Sequence, residues 1–131
     1  MRIAAAVLAA IAVAGCGFDV QSPDLFQVTR TGQGQKLTLL VNDSGTIACN
    51  GGKPKALPDP LLLQARDLAT SLGSDVDLTF AATPRHVFVY TVKVQKGTFT
   101  FPDTAAASRK ELSQLELFVI QAAANPCGIS A

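Results

Sequence analysis

His86 is the one histidine of this sequence, and Cys16, Cys49 and Cys127 are its thiols. An imidazole can move a proton near neutral pH, which makes His86 the general base that a small hydrolase would need. It lies in the alternating run Arg85 to Val94, among Phe88, Tyr90 and Val92, with no Gly-x-Ser-x-Gly elbow and no cysteine nucleophile beside it. Ser44, Ser71 and Ser108 each have a local use, in a turn, a helix and a cap. The residues therefore read His86 as a strand histidine rather than a catalytic one. Asp75 and Asp77 are spaced to share one face of an extended chain, but calcium needs six or more oxygens and there is no EF-hand series after them. They read as carboxylates that solvate a loop. Gly32 and Gly34 lack the third glycine and the following helix of a phosphate cradle. No catalytic residue, metal ligand or cofactor site is assigned.

The stretch from Asn50 to Pro58 is the strongest candidate for recognition. Lys53 and Lys55 flank Pro54, and Pro58 and Pro60 stiffen the chain at its far end. A pre-stiffened loop presents a surface at low entropic cost. Asn50, Lys53, Pro54, Lys55 and Leu57 are its candidate contact residues, and a plain strand-to-helix connection is the alternative.

The N-terminus says where such a loop would be displayed. Met1-Arg2 is a short positive region, Ile3 to Val13 an uncharged apolar run, and Ala14-Gly15 a pair of small residues. That run is far short of the ~20 residues that span a bilayer, so residues 1–15 read as a secretory signal peptide. Val13-Ala14-Gly15-Cys16 resembles the bacterial lipobox. The resemblance implies a Cys16 thiol alkylated with diacylglycerol and cleavage just before it; a plain signal peptide with a chance cysteine is the alternative. Two or more acyl chains hold a protein stably on a leaflet, where one does not. Residues 16–23 then form a short lipidated tether, and 24–131 a single domain on the extracytoplasmic side of the cell membrane.

With Cys16 so used, Cys49 and Cys127 remain in an oxidising compartment and are expected to pair. Free thiols or a metal pair are the alternative, and a single histidine cannot complete a zinc site of the usual kind. Arg2 leaves with the signal, so ten basic residues face ten acidic ones. A neutral domain without a basic cluster argues against a nucleic-acid partner.

Periodicity gives the elements that must position these groups. Leu25–Thr31, Lys36–Val41 and Thr46–Cys49 alternate as strands, separated by Gly32–Gln35 and the reversal Asn42-Asp43-Ser44-Gly45. Asn50 to Lys55 is read as irregular. Asp59 as N-cap and Pro60 as first residue open a helix that Leu61, Ala65, Leu68 and Leu72 make amphipathic and Gly73 ends. A short strand is expected at Leu78–Ala82, the longest at Arg85–Val94, and its hairpin partner at Thr98–Phe101. The last helix carries a capping box, Ser108 with Glu111, and an apolar stripe of Leu112, Leu115, Val119 and Ala122 broadened by Phe118. Asn125-Pro126 stops it just before Cys127. The fold class is α+β: an antiparallel sheet of about five strands, two helices on one face and one disulfide.

Val41 to Gly52, Leu57-Pro58-Asp59, Ala65-Arg66-Asp67-Leu68, the Gly97–Asp103 strand and the late Cys127 resemble a group of small actinobacterial lipoproteins. A fainter likeness is to subtilisin-inhibitor-like proteins, which have a second disulfide that this helix cannot supply. The lipoprotein resemblance carries no activity or ligand over to this chain. The leading expectation is a non-catalytic, lipid-held binding or envelope-interaction module at the outer face of the cytoplasmic membrane, with a protein partner in the cell envelope. A protease inhibitor acting through 50–58 and a small hydrolase are the competing expectations.

Overall fold

The computed structural model describes residues 23–129; the expected signal peptide (1–15) and the expected lipidated tether through residue 22, with Cys16, lie outside the described residues. Eight main elements run in order: β1 (Asp24–Gly32), β2 (Gln35–Asn42), β3 (Thr46–Cys49), β4 (Lys55–Ala56), α1 (Asp59–Ser71), β5 (Val89–Val94), β6 (Gly97–Pro102) and α2 (Lys110–Ala124). The six strands form one antiparallel sheet in the order β4-β3-β2-β1-β5-β6. The sixth strand, not expected from the sequence, is the two-residue β4, whose register sets Lys55 opposite Ile47. A proline and two lysines blunt that edge, a common protection against further pairing.

Alternation divides the sheet into a dry and a wet face. Cys49, Leu39, Val28, Val92 and Phe99 form one row across five strands, set by register and turned toward the helices. The next row on the other face is Thr38, Thr29, Thr91 and Thr100, a line of cross-strand threonines. Hydroxyl contacts of 3.3 Å join the outer pairs, Thr29 with Thr38 and Thr91 with Thr100. β-branched hydroxyl residues suit a strand whose side chains meet water, because they keep strand propensity without exposing apolar area.

Leu61, Ala65 and Leu68 of α1 and Leu112, Leu115, Phe118, Val119, Ala122 and Ala123 of α2 close over the dry face. Phe26 and Phe118 meet edge to face at 5.5 Å, joining the central strand to the last helix. The two-layer α+β fold read from the sequence is therefore the observed one.

Several boundaries differ from expectation, each for a local reason. Pro58, not Asp59, is the N-cap of α1, and its carbonyl accepts the amides of Leu61 and Leu62 at 3.0 Å each. Gly73 does not stop the helical path: a 3-10 helix, Leu72–Asp75, carries it one turn further and brings Leu72 and Asp75 inside. No strand forms over Leu78–Ala82; Phe80 instead leans on Phe99 and Phe101, with ring centroids 6.2 and 6.1 Å away. The expected capping box does not form. Ser108 closes a preceding 3-10 helix (Asp103–Ser108) by donating to the Ala105 carbonyl at 2.9 Å, and Glu111 is taken by Arg109.

β5 starts at Val89 rather than Arg85. Pro102 ends β6 with no N–H to offer, and the Asp103 carboxylate captures the amides of Val87 and Phe88, both at 3.1 Å. That capture turns the chain out of the sheet. It then crosses the end of β1 at Gly32, where a Cβ would strike the Val87 carbonyl.

Candidate functional site

The loop leaving β3 is built to hold its shape. Asn50 and Gly51 take the left-handed conformation, at φ 52 and 73, which turns the chain sharply after Cys49. Asn50 also clamps onto β2: its amide donates to the Thr38 carbonyl at 2.7 Å, and its Oδ1 accepts the Thr38 amide at 2.8 Å. The Gly52 amide returns to the Cys49 carbonyl at 3.0 Å. At the far end the Leu57 amide reaches the Gly45 carbonyl at 2.8 Å. Both ends are fastened.

Between those ends every residue from Gly51 to Ala56 is exposed. Leu57 is not available for contact, as its candidate role required: it is only 4% exposed and belongs to the core. The physical reason is that an isolated leucine beside Leu61 gains more from burial than from display. Asn50 is a brace rather than a contact, and the Lys55 ammonium donates to the Pro126 carbonyl at 3.4 Å. The outward-facing part reduces to Lys53, Pro54 and the neighbouring backbone.

Cys49 and Cys127 are bonded, with Cα atoms 5.9 Å apart. Cys127 reaches this position because its amide wraps back to the Ala122 carbonyl at 3.1 Å and that of Ile129 to Ala123 at 2.7 Å. The pair staples the end of α2 to the last residue of β3, as read from the sequence.

His86 is not in a strand. It sits in the exposed turn before β5, where its Nδ1–H donates to the carbonyl of Thr83. That bond fixes a tautomer but supplies neither a nucleophile nor a carboxylate to orient the ring.

Asp75 overturns its reading as a solvated loop residue. It is 0% exposed, whereas Asp77, expected to share its face, stays in water. Arg109, extended at the start of α2, reaches both acids: Nη2 lies 2.7 Å from Asp75 Oδ1, and Nε donates to Glu111 Oε1 at 2.8 Å. Neither oxygen of Asp75 accepts a well-directed hydrogen bond. Burial, then the hydrogen bond to Glu111 and that group's charge, raise the Asp75 carboxyl to about 6 against the pull of Arg109. Glu111 moves down: burial opposes the change, but Asp75, its own backbone and Arg109 outweigh it. The arrangement is two acids clamped by one guanidinium, with Asp75 the one that takes up a proton more readily. Periodicity within a loop could not reveal it, because the clamp comes from a distant helix.

A second polar group lies at the other end of the dry face. Arg30, on the core-facing side of β1, is 5% exposed, and its guanidinium lies over the Phe88 ring at 4.5 Å. Tyr90, opposite Arg30 in register, is pushed up to about 12 by burial and by Glu116, with Arg30 opposing. Glu116 rises to about 7 through burial and the charge of Asp103, and its Oε1 has no hydrogen-bond partner.

Among the described residues no group of three or more His, Cys, Asp or Glu side chains could hold a metal ion, and no helix is long and apolar enough to cross a membrane. Comparison of the chain with protein-family models, with curated proteins and with solved structures returned no match.

Proposed function

We propose that the protein is a lipid-anchored, extracytoplasmic binding module of the cell envelope, held by Cys16 and without catalytic chemistry of its own. The observation that carries this reading is the Cys49–Cys127 bond. A structural disulfide requires an oxidising compartment, and it leaves Cys16 as the third and last thiol. That thiol stands where the lipobox resemblance puts the acylated one. The braced, exposed Gly51–Ala56 loop supports the binding role, since a rigid protrusion loses little entropy on meeting a partner. The inward turn of Leu57 removes the apolar contact that an inhibitor reading would use, and the partnering of His86 by a carbonyl gives a hydrolase reading no support.

Intact mass measured on envelope-derived protein tests the anchor. The expected species begins at Cys16 and carries diacylglyceryl mass, while Cys16→Ala retains residues 1–15 and takes up no alkyne-labelled fatty acid. A wild-type chain cut elsewhere without acyl mass, or label persisting in Cys16→Ala, overturns the proposal.

A further inference from the structure

A cavity of about 250 Å³ opens at the end of β1 and is lined by Arg30, Gln35, Lys36, Leu37, Asn50 and Ile129. Its charge is one-sided: two cations and two carboxamides line it, and no carboxylate does. Arg30 is the unusual member. A guanidinium this deeply buried is ordinarily matched by an acid, because desolvating an unpaired charge is expensive. Among the described residues Arg30 forms no salt bridge; its neighbours are the Phe88 face and Tyr90.

The other donors are arranged to the same effect. The Oδ1 of Asn50 is occupied by the Thr38 amide, which leaves its Nδ2 as the group with hydrogens to give. The carbonyls at the end of α2 would repel an anion nearby. Three of them are already used, those of Gln121, Ala122 and Ala123, by the amides of Asn125, Cys127 and Ile129. A planar fork, an ammonium and two amides around one opening match a planar or tetrahedral oxyanion.

We infer that this cavity is a binding site for an oxyanion, the carboxylate or phosphate of a small solute, with Arg30 as the buried fork and Lys36 as the charge at the mouth. The site goes beyond the proposed lipid-anchored role and does not depend on it. Arg30 lies about 20 Å along β1 from Asp24, where the tether enters, at ~3.3 Å per residue. A dissolved ligand therefore reaches the mouth more readily than a headgroup of the anchoring leaflet.

Binding is measured on the mature protein in neutral detergent by calorimetry and by thermal midpoint. The probes are inorganic phosphate and citrate, with sodium chloride at equal ionic strength as control. Vesicles of phosphatidylcholine with and without phosphatidylglycerol form a separate arm. Saturable binding of phosphate or citrate is expected, weakened about tenfold or more in Lys36→Gln, the loss of one charge-assisted hydrogen bond, and lost in Arg30→Met. Lys36 is exposed, so its variant remains informative should Arg30→Met fail to fold. Saturation only on phosphatidylglycerol vesicles, lost in Lys36→Gln, keeps the oxyanion site but assigns it to a headgroup. Absence of saturable binding in every arm, or binding that Lys36→Gln leaves unchanged, overturns the inference.

Discussion

The double variant Cys49→Ala/Cys127→Ala is expected to lose roughly 4 to 5 kcal/mol of folding stability, the chain-entropy value for a cross-link spanning a separation of 78 residues. That figure is an upper one, because residual structure in the denatured chain reduces it. It is nonetheless about a quarter or more of the ~5–15 kcal/mol that holds an ordinary domain together. The loss would arise in the unfolded state, where the untied chain gains freedom. In the folded state α2 keeps its contacts through Leu112, Leu115 and Phe118, while the turn from Asn125 to Ile129 loses its tie to β3. Denaturant titration of the oxidised protein, the reduced protein and the double variant provides the measurement. Reduction and substitution should shift the midpoint by the same amount. A loss below about 1 kcal/mol would show that the bond constrains little.

The second large effect concerns Asp75 and is read as a pH profile. Its carboxyl is raised to about 6 in the folded protein from an ordinary 3.8, so the folded state holds that proton more tightly than the unfolded one. The resulting stability is fully present below about pH 4 and disappears as pH rises through about 6. Glu111, moved the opposite way, offsets part of it. Replacing Asp75 by Asn keeps the shape and a donor toward Glu111 but removes the ionisation. Its stability relative to wild type is therefore expected to improve by on the order of 1–3 kcal/mol between pH 4 and pH 8, whatever its offset at pH 4. Glu116, raised to about 7, slopes the same way in both proteins and cancels from the difference. Parallel profiles for the two proteins would refute the raised Asp75 carboxyl.

These two sites illustrate what the sequence discloses and what it withholds. The strands at β1, β2 and β3, the β5–β6 hairpin and both helices were legible, because each alternates or repeats at its own period over enough residues. The disulfide came from counting thiols. Phe26, Val28 and Arg30 stand at even spacing in that alternation, so the same pattern that buries the first two carries an arginine to the dry side of β1. What could not be read were the places where a distant group overrides a local pattern. Alternation runs on through His86 and Phe88, yet Asp103 takes the amides of Val87 and Phe88 and ends the strand. Ser108 and Glu111 have the spacing of a capping box, yet Arg109 draws Glu111 toward Asp75. Asp75 itself looks like a loop carboxylate until α2 is folded over it. In the candidate loop, proline and lysine correctly marked the exposed part, but Leu57 went inward, where burial in the core stabilises its side chain more than display would.

The staple between β3 and the end of α2 also governs what a protease would produce. Residues 76–88 carry neither an α-helix nor a strand, and Arg85 within them is exposed. A trypsin nick there falls between the two half-cystines and cuts no strand. The expected product is a two-chain molecule that runs as one band until reductant is added and then separates, with β5, β6 and α2 in the lighter piece.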